Sequence, residues 1–265
     1  MAAGAYVEFA RRAFNRESVY RVQVFTRIGS ILLRVFLMAT LWTALYRTNG
    51  QQAGITLPGM ITYVTLALVI GLIYNVDGAY VIREKIREGS IAIDLMRPIS
   101  VPLYVFADTI GQTLFSVVQI IPALLLSLLI VRIQPPVNLV AAGAFLVSIC
   151  LGFLLNYFID LIMATITFWT MEIFGVQIMV QFIVSLLSGA LVPLTLFPQG
   201  PLQRIVLALP FAGLYNDPIS MYIGLISGPA IMQHLAMQVI WVAVFGAFAT
   251  LLWRIGERRV VVQGG

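Results

Sequence analysis

Charge is what this chain has least of. Only 10% of its 265 residues are Asp, Glu, Lys or Arg, against 60% hydrophobic. A soluble domain is about a quarter charged. With a mean hydropathy of +0.97, the chain cannot cover a globular surface with polar groups, so lipid must solvate much of it. Other scarcities narrow the chemistry. The single cysteine, Cys150, excludes an intramolecular disulfide and a cysteine metal cluster. The single histidine, His234, excludes a two-histidine zinc site. The single lysine, Lys85, follows Glu84, whereas a phosphate-binding P-loop needs Gly there, so ATP hydrolysis by that route is excluded. The net charge of +5 is modest, and the cations sit at segment ends rather than on one basic face, which argues against nucleic acid as a partner.

What is present is a series of apolar runs near the roughly 20 residues that a helix needs to cross a bilayer. They are continuous rather than alternating with period two, which excludes a β-barrel. The fold class expected is an all-α integral membrane protein, one transmembrane domain over residues 1–265 with six spans. The spans are expected near 22–46, 60–81, 103–131, 138–159, 174–197 and 231–253. Before the first, residues 5–20 read as an amphipathic helix. Tyr6, Phe9, Ala10, Ala13, Phe14 and Tyr20 share one face, with Glu8, Arg11, Arg12 and Asn15 opposite and Glu17 on the apolar side. Such a basic helix over residues 1–21 suits the surface of an anionic cytoplasmic leaflet. Its arginines interrupt any early apolar core, so the first span is expected to act as an uncleaved anchor. Residues 198–230 hold Pro198, Pro201, Pro210, Pro218 and Pro229. No single straight helix fits there, and short re-entrant or interfacial helices on the outward side are expected.

Orientation follows from the basic residues. Eleven fall in the amino terminus, the 83–97 loop and the carboxyl terminus, against Arg47, Arg132 and Arg204 on the other side. Both termini and the loop over 82–100 are therefore expected in the cytoplasm.

That loop concentrates seven of the 27 charged residues between Arg83 and Arg97. It reads as a short amphipathic helix, a Gly-Ser break, and an apolar run closed by Pro98. Ile91, Ile93, Leu95 and Met96 are unusual in a purely solvated turn. Either they fill a groove on a soluble partner while the charges set orientation, or the loop only fixes topology.

Several polar residues lie inside apolar segments. Arg27 and Arg34 share a face of the first span. Arg27 can snorkel to the interface, but Arg34 lies deeper, where charge faces protein or a watery cavity. Asp108, Gln112, Ser116 and Gln119 form a stripe on the third span that either lines a substrate path or hydrogen-bonds neighbouring helices. Asn75 and Asp77 suit capping or pairing with Arg83. Asn156, Asp160 and Glu172 read as interfacial solvation or as conformational coupling. His234 reads as a surface histidine rather than a proton relay. Gly224-x-x-x-Gly228 is a close-packing signal outside any firm span.

The run from Ile86 to Ser100 resembles the cytoplasmic loop of type-2 ATP-binding-cassette (ABC) permeases, Ile-Arg-x-Gly-x-Leu-x-x-x-Leu-Leu-Arg-Pro, with Ile91 and Met96 at two of the leucine positions. Ser188 to Pro198 resembles the same family's stretch at the outer end of the fifth span. The resemblance, closest to the exporter-like branch, covers most of the chain. It implies a non-enzymatic permease of the cell (inner) membrane, exporting its substrate; apolar walls with few charges suit a hydrophobic or amphipathic one, whether a lipid, a drug or a peptide-like metabolite. Partners implied are two copies of a separate ABC ATPase, which would hold the ATP and Mg, and a second permease, identical or homologous; the chain itself needs no cofactor or metal. The resemblance makes Arg83, Glu84, Lys85, Arg87, Glu88, Ile91, Ile93, Asp94, Leu95, Met96 and Arg97 the ATPase-docking residues. Arg34, Asp108, Gln112 and Gln119 are the candidates for the substrate path. An ion-coupled secondary transporter would instead need an intramembrane carboxylate, for which Asp108 is the candidate. A non-transporting scaffold would show no substrate-dependent turnover.

Overall fold

The computed structural model describes residues 2–18, 21–49, 54–74, 78–170 and 173–259. Tyr20, Asn75, Asp77 and Glu172 lie outside the described residues. The regular elements are α1 (Ala2–Ser18), α2 (Arg21–Asn49), α3 (Leu57–Tyr74), α4 (Gly78–Arg87), α5 (Ile91–Leu95), α6 (Val101–Ser127), α7 (Leu139–Ile166), α8 (Phe174–Leu187), α9 (Pro201–Ala208), α10 (Asn216–Tyr222) and α11 (Pro229–Glu257), with 3-10 turns at Leu194–Leu196 and Pro210–Gly213.

Among the described residues, five helices are long and apolar enough to cross a membrane: Val24–Arg47 within α2, and α3, α6, α7 and α11. Their outward faces carry exposed Leu, Ile, Val and Phe side chains such as Leu33, Phe36, Leu125, Leu146 and Phe248, as a lipid-solvated surface requires. Threonines inside them return their hydroxyls to their own helix: Thr65, Thr109, Thr165 and Thr250 each donate to the carbonyl four residues back. In hydrocarbon an unsatisfied polar group costs several kcal/mol, so this local bond is the economical arrangement.

The expected span over 174–197 is broken. Helix α8 ends at Leu187 after 14 residues, about 21 Å at the usual rise. The chain then turns through Gly189, whose φ of +84° is a conformation glycine tolerates and other residues rarely adopt. Asn216 donates its backbone N–H to the carbonyl of Ser188 at 2.9 Å, and Tyr63 donates its hydroxyl to the carbonyl of Gly189 at 2.9 Å. These distant partners fix the break.

Helix α1 turns its apolar face to α6. Phe9 meets Tyr104 edge-on with ring centroids 4.7 Å apart, and Phe14 meets Phe115 at 5.4 Å. Ala13 is buried, while Glu8, Arg11 and Arg12 stay exposed. The crossing passes over Gly111, where any Cβ would lie 2.0 Å from the carbonyl oxygen of Ala10.

Helices α7 and α11 pair along their length. Small residues allow the approach: a Cβ on Gly246 would meet the ring of Phe158, and one on Gly256 the ring of Phe168. Ser148 donates to Gln238 Oε1 at 3.0 Å, and Gln238 donates to the carbonyl of Gly213. The proline-rich segment folds into short pieces as expected from its prolines, and α10 is buried almost throughout, against α7 and α3. Gly224 and Gly228 have φ of +84° and +59°, so they shape a turn, and the spacing is no helix-packing motif. A Cβ on Gly224 would strike Val137.

Candidate functional site

Two features stand out, a charged helical elbow at one end of the bundle and a polar groove beside it. The elbow is α4 and α5, joined at Gly89, whose φ is +74°. Glycine breaks the helix after Arg87, and Pro98 lies in the turn between α5 and α6.

The elbow has two faces. Inward, Ile82 and Ile91 are fully buried, packed with Val101, Val105, Tyr157, Leu161 and Trp253. Leu95 is partly buried in the same cluster. These contacts tie the elbow to the ends of α6, α7 and α11. Lys85 and Asp94 form an ion pair that braces α4 against α5, and the Lys85 ammonium lies 5.5 Å from the centre of the Tyr104 ring. Arg97 lies 3.5 Å from the other oxygen of Asp94. Arg83 is half-buried and donates to Gln177 of α8.

Outward, Met96 is 78% exposed and Ile93 55% exposed. Arg87, Glu88 and Arg97 are exposed around them. Arg87 donates to Glu84 at 2.8 Å. A hydrogen bond from Tyr80, with Arg87 beside it, holds the Glu84 carboxyl below its ordinary range. The loop residues named from the sequence thus divide. Ile93, Met96, Arg87, Glu88 and Arg97 are available to a partner. Ile91, Lys85, Asp94 and in part Leu95 build the elbow instead, and Ile91 in particular faces the bundle.

The groove lies between α2, α3, α7 and α8, with a volume of about 400 Å³. Arg34, from the middle of α2, and Arg83, from the elbow, both line it. Asn156 and Asp160 enter from α7, with the Asn156 amide donating to Asp160 at 3.0 Å and to the carbonyl of Tyr74 at 3.2 Å. Gln177, Gln181 and Ser185 enter from α8. These three recur every fourth residue on one face of an otherwise apolar helix, a polar stripe that sequence reasoning passed over although its spacing was legible.

Of the four path residues named from the sequence, the groove contains Arg34. Asp108 and Gln112 face α1: Arg16 donates to Asp108 at 3.0 Å, and Gln112 donates to the same carboxylate at 2.7 Å. Gln119 and Ser116 are buried on α6, and among the described residues Gln119 Oε1 has no hydrogen-bond partner. His234 is not a free surface group either, since its Nδ1 lies 3.1 Å from Asp217 on buried α10. A second cavity of about 620 Å³ lies beneath the elbow. It is walled mainly by apolar side chains including Phe106, Tyr157 and Trp253, with Arg254 and Glu257 among its lining residues.

Compared with curated proteins, and likewise with solved structures, the chain finds no match. Residues 32–264, which include the elbow and the groove, match the family model described as ABC-2 family transporter protein, and the chain therefore belongs to that family of multi-pass membrane permeases.

Proposed function

We propose that this permease exports a hydrophobic or amphipathic substrate, driven by ATP hydrolysed on a separate ABC ATPase that docks on the α4–α5 elbow. The observation that carries the reading is the division of the elbow: Ile93 and Met96 project outward among charges, while Ile91 is buried against α6, α7 and α11. A partner that moves the outer face must move the inner one, because the Lys85–Asp94 pair and the Ile91 contact make the elbow a rigid lever. The ATP and Mg belong to the ATPase, present in two copies, and a second permease, identical or homologous, completes the assembly.

In this reading the protein lies in the cell (inner) membrane with both termini cytoplasmic. Helix α8 and the turn after it supply a sixth crossing, α1 lies along the cytoplasmic interface beside α6, and residues 198–230 form the outward re-entrant segment. The substrate path is the groove lined by Arg34 and the α8 stripe. An ion-coupled mechanism is less well supported, since Asp108, its candidate carboxylate, is already satisfied by Arg16 and Gln112.

The test is native mass spectrometry of the permease purified from its own host in mild detergent. An ATPase at two copies per two permeases, lost when Ile93 and Met96 are both replaced by Ser, is the expected result. A reproducible complex without an ATPase, under conditions that preserve known ABC assemblies, would overturn the reading.

A further inference from the structure

Arg34 is the starting point. It sits ten residues into the apolar stretch Val24–Arg47, roughly 15 Å along the helix at 1.5 Å per residue and so near the middle of a hydrocarbon core about 30 Å thick. Neither an ion pair nor a hydrogen bond engages its guanidinium among the described residues, unlike Arg16, which has Asp108. Charge at this depth is costly unless it is paired or meets water, so Arg34 calls for a counter-group that none of the described residues supplies.

The rest of the groove has the same imbalance. Among the described residues, Arg83 is engaged by neutral groups, the Gln177 side chain and the Tyr80 ring at 5.6 Å. Among the described lining residues, one carboxylate, Asp160, shares the groove with two guanidinium groups, and it accepts from Asn156. Counted over the described residues, the site is therefore net cationic. A guanidinium presents paired N–H donors in a fork that fits a phosphate or carboxylate. Along the same groove Leu68, Leu72, Val180 and Val184 form an aliphatic wall, which suits a hydrocarbon body rather than a compact hydrophilic ion.

We infer that the groove takes an anionic amphiphile, its phosphate or carboxylate head held by Arg34 and Arg83 and its tail laid along α3 and α8. The inference rests on the permease reading and names the substrate class for it. A head of this kind neutralises Arg34 at a depth where water alone is a poor substitute. The Gln177, Gln181 and Ser185 stripe then offers neutral hydrogen-bonding groups spaced along α8, past which the head can move without being trapped by a second charge.

The test uses the purified permease–ATPase complex in nanodiscs of zwitterionic lipid. Binding and ATPase stimulation are measured for dodecyl phosphate, and for dodecyltrimethylammonium as the matched cation. Dodecyl phosphate is expected to bind and stimulate, and the cation not to. R34Q and R83Q should each weaken dodecyl phosphate binding about tenfold, the loss of one charge-assisted contact, while R34K, which keeps the charge, should lose less. Because R34Q could disturb folding, its elution profile and that of R34K are compared with the parent. Phosphatidic acid added to the disc separates two sources of the same head: competition with dodecyl phosphate supports a membrane lipid, and no competition supports a water-soluble amphiphile. Equal binding of the cation, or unchanged affinity in well-folded R34Q, overturns the inference; the counter-charge for Arg34 would then come from the second permease. The permease reading fails separately, on the absence of any co-purifying ATPase, and direct binding of dodecyl phosphate is scored in either case.

Discussion

Arg16 of α1 and Asp108 of α6 are joined across 92 residues of sequence, with the guanidinium Nη2 3.0 Å from the carboxylate Oδ2. The pair closes the α1–α6 crossing and engages Asp108 there. Arg16 is 53% exposed while Asp108 is 11% exposed, so solvent screens one end. R16A is expected to cost about 1 kcal/mol and D108A about 1–2 kcal/mol, since it also strands Gln112. The double variant should cost less than the two combined. D108N should leave the substrate concentration for half-maximal ATPase stimulation unchanged. Thermal unfolding in detergent and ATPase titration check both halves; a tenfold shift in half-saturation with an unchanged unfolding midpoint would return Asp108 to the substrate path.

The elbow makes a second pair of expectations by contrasting neighbours. Ile91 is 1% exposed and Met96 is 78% exposed. I91A removes a fully buried side chain and is expected to destabilise the permease by about 2–4 kcal/mol whether or not an ATPase is bound. M96S alters a side chain that is mostly exposed and should change the permease's stability by less than about 0.5 kcal/mol, yet weaken ATPase retention on purification. If M96S and I93S together retain the ATPase fully, docking is elsewhere.

Gly111 offers a steric test of how α1 is held. Its added Cβ would lie 2.0 Å from the Ala10 carbonyl oxygen and 2.8 Å from the Ala13 Cβ. Backbone cannot yield cheaply, so G111A is expected to displace α1 at about 1–3 kcal/mol and to open it to limited proteolysis. Gly143 on α7 is the control, with nothing within 4 Å of its added Cβ. G143A should be neutral or stabilising by up to about 1 kcal/mol through helix propensity. Equal proteolysis of G111A and the parent would show that α1 is held by its side chains alone.

The contrast between these helices also explains what the sequence could reveal. Helices α3, α6, α7 and α11 were legible because long apolar runs leave the backbone no alternative in lipid. The break after Leu187 was not, because its partners are Asn216 and Tyr63, 28 and 125 residues away from Ser188. The aromatic face of α1 reads the same way against lipid or against protein, so its contact with α6 needed coordinates. For the Asp108 stripe both a polar path and bonding between helices stayed open for the same reason: periodicity shows which residues share a face, but not what covers it. Gln177, Gln181 and Ser185 did carry a readable signal, and the groove gives it a meaning.

Docking at the elbow is expected to respond to salt and not to pH near neutrality. The Tyr80 hydrogen bond depresses Glu84 in the folded state. A depressed carboxylate contributes stability that is present above its unfolded pKa and lost as pH falls through the folded value. Both values lie in the acid range, so Glu84 stays ionised from about pH 5.5 to pH 8. Arg87, Glu88 and Arg97 are exposed, so raising salt from about 0.05 to 0.5 M should screen them and release ATPase. A pull-down across both ranges checks this. Release within the pH window at constant salt would require another titrating group at the interface.

The turn after α8 gives the last expectation, because three bonds from two other elements hold it. Asn216 donates its N–H to the Ser188 carbonyl at 2.9 Å and accepts from the Leu194 N–H at 3.3 Å, while Tyr63 donates to the Gly189 carbonyl at 2.9 Å. Asn216 also donates to Asp217, which in turn meets His234 at 3.1 Å. N216A would strand the buried Leu194 N–H and loosen Asp217, and it should destabilise by about 1–3 kcal/mol. D217N keeps the volume and an acceptor oxygen, so its loss should be the smaller of the two. Y63F removes only the Gly189 contact and should fall near 1 kcal/mol. Thermal unfolding of the three variants gives the order. If N216A is neutral while Y63F is not, the turn is anchored from α3 alone, and α10 is not the element through which the end of α8 is tied to α11.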